Sequence, residues 1–349
     1  MQEIRVGIIG FGRIGAEHAG WLSKARGISA VAADDVTPAR CAMAASNGLK
    51  TYDTLEAMVA DRSIDAVLVS TPTSMHFEHA MLALEAGKHV MIEKPMALDL
   101  AESRQLVQEA LARKRVLSVF HNRRWDVDYL TVREAIHAGT FGALINVESR
   151  LGQYASCVGP AAREYHPTWR NEAAFGGGGL YDWGSHFVDQ LWRLLWPAKP
   201  VRVFAQLRGN VWTRDCDDFA RILIDFDNGV VGLCEINTTT SRPLPRWHVD
   251  GVAASASAPA SATFDTLEWS SLTVFPSGAS PAPKLYPRAA RGLNETQIWE
   301  QFASCILGQG PPAVTPESVL PTMALLDAAR QSSHHQESAD VRGVVDWVY

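Results

Sequence analysis

Cysteine is scarce and scattered in this chain of 349 residues: Cys41, Cys157, Cys216, Cys234 and Cys305 form no C-x-x-C pair. Neither a disulfide framework nor a cysteine-based zinc site is therefore expected, and a reducing cytoplasm suits such a protein. No run of 18 uninterrupted apolar residues occurs, so no membrane-spanning helix is expected. The opening "MQEIRVGIIG" carries no basic region, no long apolar stretch and no small-residue cleavage site, and no export signal is expected there. Basic residues are not gathered into a block, and 32 Lys and Arg against 38 Asp and Glu give a net charge of −6. Nucleic acid and anionic membrane are thus not expected as partners, and any phosphate must be bound locally.

What the chain does have is an ordinary globular composition, 47% apolar and 20% charged, spread over more residues than one core usually holds. Two domains are expected. "IRVGIIG", "ISAVAADD", "IDAVLVSTP", "HVMIEKP" and "VLSVFHN" read as short buried strands, and the segments between them, such as "RIGAEHAGWLSKA" and "DLAESRQLVQEALARK", have helical spacing. That alternation predicts an α/β unit over residues 1–121 with a parallel sheet covered on both faces. From residue 122 to 349 the rhythm changes to an α+β unit. "DYLTVREAIHAG" reads as a helix, and "INVESRLGQY", "VRVFAQLRG", "DDFARILIDF", "VVGLCEINTTT" and "RWHVDGV" as strands of a large, mostly antiparallel open sheet, with a hairpin turn at Asp227-Asn228-Gly229. Two late helices, "ETQIWEQFASCILGQ" and "VLPTMALLDAARQSSHH", follow. The low-complexity stretch 253–262 fits either a loop or part of a meander.

"GFGRIG" follows the first strand and opens the first helix, with Gly10, Gly12 and Gly15 in the G-x-G-x-x-G pattern. Gly10 permits the tight turn, Gly12 lets backbone amides approach a pyrophosphate, and Gly15 lets helix and strand pack closely, while the helix N-terminus favours the anion. Phe11, Arg13 and Ile14 complete this loop. Asp34 and Asp35 end the second strand, Asp35 standing 20 positions after Gly15, and only one carboxylate is needed there to accept hydrogen bonds from the ribose hydroxyls; Asp35 is expected to do so, with Asp34 a solvated strand end. Such a carboxylate repels a 2′-phosphate, so NAD is expected, and Arg13 keeps NADP open. His76, Glu78 and His79 lack the H-E-x-x-H spacing and a third ligand nearby, so no metal is expected, and His76 is assigned to structure or cofactor contact.

"GGGGLYDWGSH" at 176–186 raises a sharper question, because four glycines are costly unless close approach or unusual backbone angles are needed. A helix beginning near Leu180 would place Asp182 and His186 on one face. A flexible loop before a capped helix fits the same residues.

Taken together, "GFGRIG", "STPTSMHFEHAMLALEAGKHVMIEKP" at 70–95, "NRRWD" at 122–126 and "WRNEAAFGGGGLYDWGSH" at 169–186 resemble the glucose-fructose oxidoreductase, inositol dehydrogenase and rhizopine catabolism family, Gfo/Idh/MocA. The resemblance implies a nicotinamide-dependent oxidoreductase of sugars, cyclitols or related polyols. It also implies a Rossmann domain and a C-terminal domain whose open sheet mediates assembly, here a homodimer or homotetramer. By position, Lys94 matches the family's Glu-Lys-Pro lysine beside the nicotinamide, Asp182 its substrate-binding aspartate and His186 its acid/base histidine. Thr71, Pro72, His76 and Glu93 fall on the cofactor side of the same segments. Hydride removal from an alcohol carbon requires the hydroxyl proton to leave, which suits His186, with Lys94 polarising the oxygen. Arg124, Trp125 and Trp169 flank the motifs and are expected to touch substrate, with Arg123, Arg170 and Trp183 nearby. The stretches 151–168 and 238–262 do not identify the substrate. An NAD-using glycosidase and a sensor without turnover remain alternatives, although Lys94, Asp182 and His186 argue against the sensor.

Overall fold

A computed structural model of the protein describes residues 3–157, 168–261, 265–278 and 282–348. Most of the stretch 151–168 and the end of the low-complexity run thus lie outside the described residues. The N-terminal half runs β1 (Ile4–Ile9), α1 (Arg13–Leu22), β2 (Ile28–Asp34), α2 (Pro38–Ser46), α3 (Leu55–Ala60), β3 (Ala66–Val69), α4 (His76–Glu85), β4 (His89–Ile92), α5 (Leu100–Ala112) and β5 (Leu117–Val119). All pairings in its sheet are parallel, in the order β2-β1-β3-β4-β5. Its middle strands are apolar because both faces are covered; all four residues of β3 are buried. Chain order reverses between β1 and β3, and a crevice opens at their carboxyl ends, where ligands bind in such sheets. The short α3 was not anticipated; Thr54 caps it by accepting from the Ala57 amide at 3.1 Å.

The second half runs α6 (Val127–His137), β6 (Leu144–Gly152), α7 (Ser185–Leu195), β7 (Pro200–Arg208), β8 (Phe219–Phe226), β9 (Val231–Asn237), β10 (Trp247–Gly251), β11 (Ala254–Ser257), α8 (Thr266–Trp269), β12 (Thr273–Pro276), β13 (Lys284–Leu285), α9 (Glu295–Ile306), α10 (Leu320–His335) and β14 (Ala339–Asp340). Among the described residues its nine strands follow the order β13-β12-β11-β10-β6-β9-β8-β7-β14, antiparallel except between β6 and β9. Along β8 buried and less buried residues alternate, the pattern of a sheet with one covered face. The β8–β9 hairpin turns as expected, with Gly229 at φ +84° and the Val230 amide donating to Asn228 Oδ1. The low-complexity run contributes β11, paired with β10 and β12, so its described part belongs to the meander.

Two helices join the halves. The core of α10 lies under β7 and α7, and its Asp327 accepts from the Leu100 amide at the start of α5. More tellingly, α9 lies at residues 295–306 yet buries Ile298, Trp299, Phe302 and Ala303 among Ile4, Val6, Ile8 and Phe11 of the first unit. The chain's second unit, as delimited by sequence, thus returns one helix to the first.

Candidate active site

A cavity of about 570 Å³ occupies the crevice at the carboxyl ends of β1 and β3. Gly10, Gly12, Arg13, Ile14, Asp35, Thr71 and Pro72 line it, as the sequence led us to expect, and Trp169 and Arg170 close it from the other half. Gly15 is forced: a Cβ there would sit 2.2 Å from the Gly10 carbonyl oxygen. The start of α1 has no side-chain cap and no acidic residue in its first turn, so its amides face the cavity unopposed. This cradle fits a dinucleotide pyrophosphate.

Asp35 is more engaged than a free ribose acceptor. Its Oδ2 accepts the Phe11 amide at 2.8 Å, its Oδ1 accepts the Thr37 amide at 2.9 Å, and Arg40 Nη1 stands 3.7 Å from Oδ2. Arg40, which sequence reasoning did not single out, also lies against the open side of Gly12. Burial pushes the neighbouring Asp34 carboxyl up, reinforced by the charges of Asp35 and Glu56.

Other expected cofactor residues lie behind the cavity wall. Phe11 is fully buried in the core. His76 is 1% exposed, its ring between the Pro95 carbonyl at 2.8 Å and the Thr71 carbonyl at 3.0 Å, so it ties the loops after β3 and β4 together. Glu93 meets His18 Nε2 at 2.8 Å through Oε1 and accepts the Lys94 amide at 3.1 Å through Oε2. Both residues support the cofactor loops from behind.

Lys94, Asp182 and His186 do not line the cavity; Lys94 Nζ donates to the Asp182 carbonyl at 2.7 Å and to its Oδ1 at 3.2 Å, and Arg170, which does line it, has its Nε 3.6 Å from the same oxygen. Burial would raise the Asp182 carboxyl, but Lys94 and then Arg170 outweigh it and hold it below the usual range. His186 is 4% exposed, and neither ring nitrogen bonds to the protein among the described residues; its Nδ1 is a buried atom without a partner. Burial first, then the charges of Lys94 and Arg123, push its pKa well below the ordinary value, so the imidazole is neutral. His121 faces it edge-on at 5.6 Å between ring centroids and is pushed down to about 4 by burial. His121 follows β5 just as Lys94 follows β4, and that rule of position could have found it.

The glycine run is a threaded passage. Gly178 has φ +109° and donates to the Arg170 carbonyl at 2.8 Å, and a Cβ on it would meet Asp217 Oδ1 at 2.3 Å. Asp217 Oδ2 in turn accepts the Leu180 amide at 2.8 Å, and its carboxyl is pushed up to about 7, chiefly by burial. The chain then makes one π turn over Leu180–Gly184 before α7 begins at Ser185, rather than starting an α-helix at Leu180. Such turns re-aim side chains inside helices.

Among the substrate residues expected from sequence, Arg124 is placed elsewhere. Its guanidinium is 7% exposed and bidentate on Asp189 at 2.8 and 2.7 Å, with further bonds to Ser318. Trp125 packs between the two cores, against the space a Cβ on Gly292 would need. Trp169 does line the cavity, with the Arg170 guanidinium 4.3 Å from its ring centre. The Arg123 guanidinium lies 5.2 Å from the Trp183 ring centre. Among the described residues no group of three His, Cys, Asp or Glu side chains is gathered as a metal site, and no helix is long and apolar enough to cross a membrane.

Comparison with known proteins agrees with this geometry. Residues 4–121 match the family described as "Oxidoreductase family, NAD-binding Rossmann fold", and residues 129–257 match the "GFO/IDH/MocA C-terminal domain". The chain is 33% identical to the scyllo-inositol 2-dehydrogenase (NADP(+)) IolW of Bacillus subtilis over 49% of its own length and 46% of that protein. It is 35% identical to the myo-inositol 2-dehydrogenase of Thermotoga maritima over 40% of its own length and 42% of that protein. The matching stretches thus span about half the length of these curated relatives. A solved NAD-binding protein from Listeria innocua superimposes over 100% of both chains with a TM-score of 0.87 and 28% identity. The chain belongs to the Gfo/Idh/MocA oxidoreductase family.

Proposed function

We propose that the protein is a nicotinamide-dependent dehydrogenase of a sugar, cyclitol or related polyol, with Lys94 and His186 carrying the proton chemistry and Asp182 orienting substrate. The observation that carries the reading is a buried, neutral His186 in the electrostatic field of Lys94, whose partner Asp182 stands 3.6 Å from Arg170 of the cavity wall. The nicotinamide, when bound, supplies the hydride acceptor. His186 accepts the hydroxyl proton, and its neutrality leaves a lone pair free for it. Lys94 stabilises the negative charge that develops on the same oxygen and is itself aimed by the Asp182 carbonyl and carboxylate. Arg13, Asp35, Thr71 and Pro72 hold the dinucleotide, with NAD preferred because Asp35 opposes a 2′-phosphate and Arg40 only partly offsets it. The inositol dehydrogenases among the relatives support the substrate class.

A sugar and cyclitol screen followed by nicotinamide absorbance tests this reading. Net NADH formation supports the dehydrogenase; glycoside cleavage without net NADH would favour the glycosidase, and neither activity the sensor.

The same reading takes the protein as a homodimer or homotetramer assembled through the second sheet. Phe204 and Leu223, each 39% exposed, are directly paired across β7 and β8 on its outer face. Light scattering that gave a monomer mass at micromolar concentration would overturn the assembly. All five cysteines are free, which suits a reducing cytoplasm.

A further inference from the structure

A buried hydrogen-bonded chain runs behind Lys94, and it begins 281 residues after its own next member. Trp299, on α9, lies with its Nε1 3.1 Å from His18 Nδ1; His18, on α1, has its Nε2 2.8 Å from Glu93 Oε1; and Glu93 Oε2 accepts the Lys94 amide at 3.1 Å. Trp299 and His18 have no exposed surface, and Glu93 is 8% exposed.

The chemistry of the first donor orders the rest. An indole N–H can only donate, so His18 Nδ1 must accept and carry no proton. The single proton of the neutral ring then sits on Nε2 and donates to Glu93. A doubly protonated His18 would set an N–H against the indole N–H. The ring cannot turn to exchange its nitrogens, because Trp21, Phe120 and Trp299 surround it with centroids 4.7, 4.4 and 5.6 Å away. Glu93 is held as a pure acceptor, and its second oxygen takes the amide of the residue that polarises the reacting oxygen.

We infer that Trp299 and His18 are positioning residues for Lys94: the indole fixes the Nε2–H tautomer of His18, and His18 fixes the Glu93 carboxylate on which the Lys94 backbone rests. This explains why α9 leaves the second half to pack on α1, since the helix supplies the first donor of the chain. The inference rests on the dehydrogenase reading for its kinetic consequence, although the tautomer does not depend on it.

Two measurements test it. Nitrogen resonances of protein labelled with ¹⁵N-histidine are expected to give His18 as the Nε2–H tautomer, and Trp299→Phe to alter that signal and move the Lys94 amide resonance. An Nδ1–H tautomer or an imidazolium at His18, or a Lys94 amide unmoved by Trp299→Phe, would overturn the inference whether or not a substrate is known. In turnover, His18→Leu should lower kcat about 10- to 100-fold, the range typical of groups that orient a reacting one, with NAD affinity nearly unchanged. His18→Gln, whose amide N–H can still reach Glu93, should recover much of the loss. In a Lys94→Ala background His18→Leu should add little, because it acts through Lys94. Equal losses in the Leu and Gln variants, or multiplying losses with Lys94→Ala, would mean that His18 serves the fold alone. A wild-type protein with no dehydrogenase turnover but the Nε2–H tautomer and the coupled Lys94 amide would instead sink the proposed function and leave the positioning chain standing.

Discussion

Lys94 Nζ and the Asp182 carbonyl oxygen lie 2.7 Å apart although 88 residues separate them in the chain. Through this contact the loop after β4 in the first half grips the π turn in the second, beside the histidine that α7 carries. Removing the ammonium would leave the half-buried Asp182 carboxylate with Arg170 3.6 Å away. Lys94→Ala is therefore expected to lower kcat through lost stabilisation of the developing alkoxide, by about 10²- to 10³-fold. NAD affinity measured by titration should change little, because the glycine loop lines the cavity and Lys94 does not.

On the proposed reading, cofactor choice turns on Asp35. Asp35→Ser should lessen the preference for NAD over NADP, and Asp34→Ser should matter less. Because Asp35 also takes the Phe11 and Thr37 amides, its replacement should weaken both cofactors somewhat. Titrating each oxidised cofactor into wild type and variants checks this, and tighter binding of NADP by wild type would overturn the assignment.

Arg124 separates a structural from a substrate role. Breaking its buried pair with Asp189 should cost about 3–5 kcal/mol of stability, since it leaves an uncompensated buried charge. Denaturant unfolding of Arg124→Ala measures the loss, and the folded fraction should keep a near-normal KM.

Three groups make stability depend on pH, in opposite senses. His186 lies well below its ordinary value and His121 near about 4, so between about 6.5 and 4 the unfolded chain binds protons that the folded chain refuses. Their contribution is present above about pH 6.5 and is lost as pH falls. Asp217, pushed up to about 7, keeps a proton that the unfolded chain releases above about 4, so it becomes unfavourable as pH rises through that interval. Asp217→Asn, which keeps an acceptor for the Leu180 amide, should therefore gain stability relative to wild type as pH rises from about 4 to 8. Urea midpoints of both proteins over that range decide it, and a constant difference would contradict the titration.

The first sheet was legible because its strands are short apolar runs and its loops carry glycines with one steric purpose each. Lys94 and Asp182, singled out as motifs, are brought into hydrogen-bond contact by the fold. What could not be read was how neighbouring arginines divide their work. Arg123, Arg124 and Arg170 look alike in sequence, yet Arg124 is committed to Asp189, 65 residues on, while Arg170 reaches the cavity. His76 and Glu93, expected at the cofactor, lie behind the cavity wall instead, His76 between the Pro95 and Thr71 carbonyls and Glu93 against His18, contacts with no signature in the local sequence. The π turn depends on Asp217, and the His18 tautomer on Trp299; neither partner is near in sequence.

The central claim is that His186 takes the substrate proton. The most direct measurement is kcat of His186→Ala on the best substrate from the screen, with the NAD dissociation constant determined on the same preparation. The account predicts a fall of about 10²- to 10⁴-fold in kcat, the usual range for a positioned acid/base, with NAD binding nearly intact. Near-normal turnover would contradict it, and would reduce the glycine-rich segment to a structural passage that happens to end in a histidine.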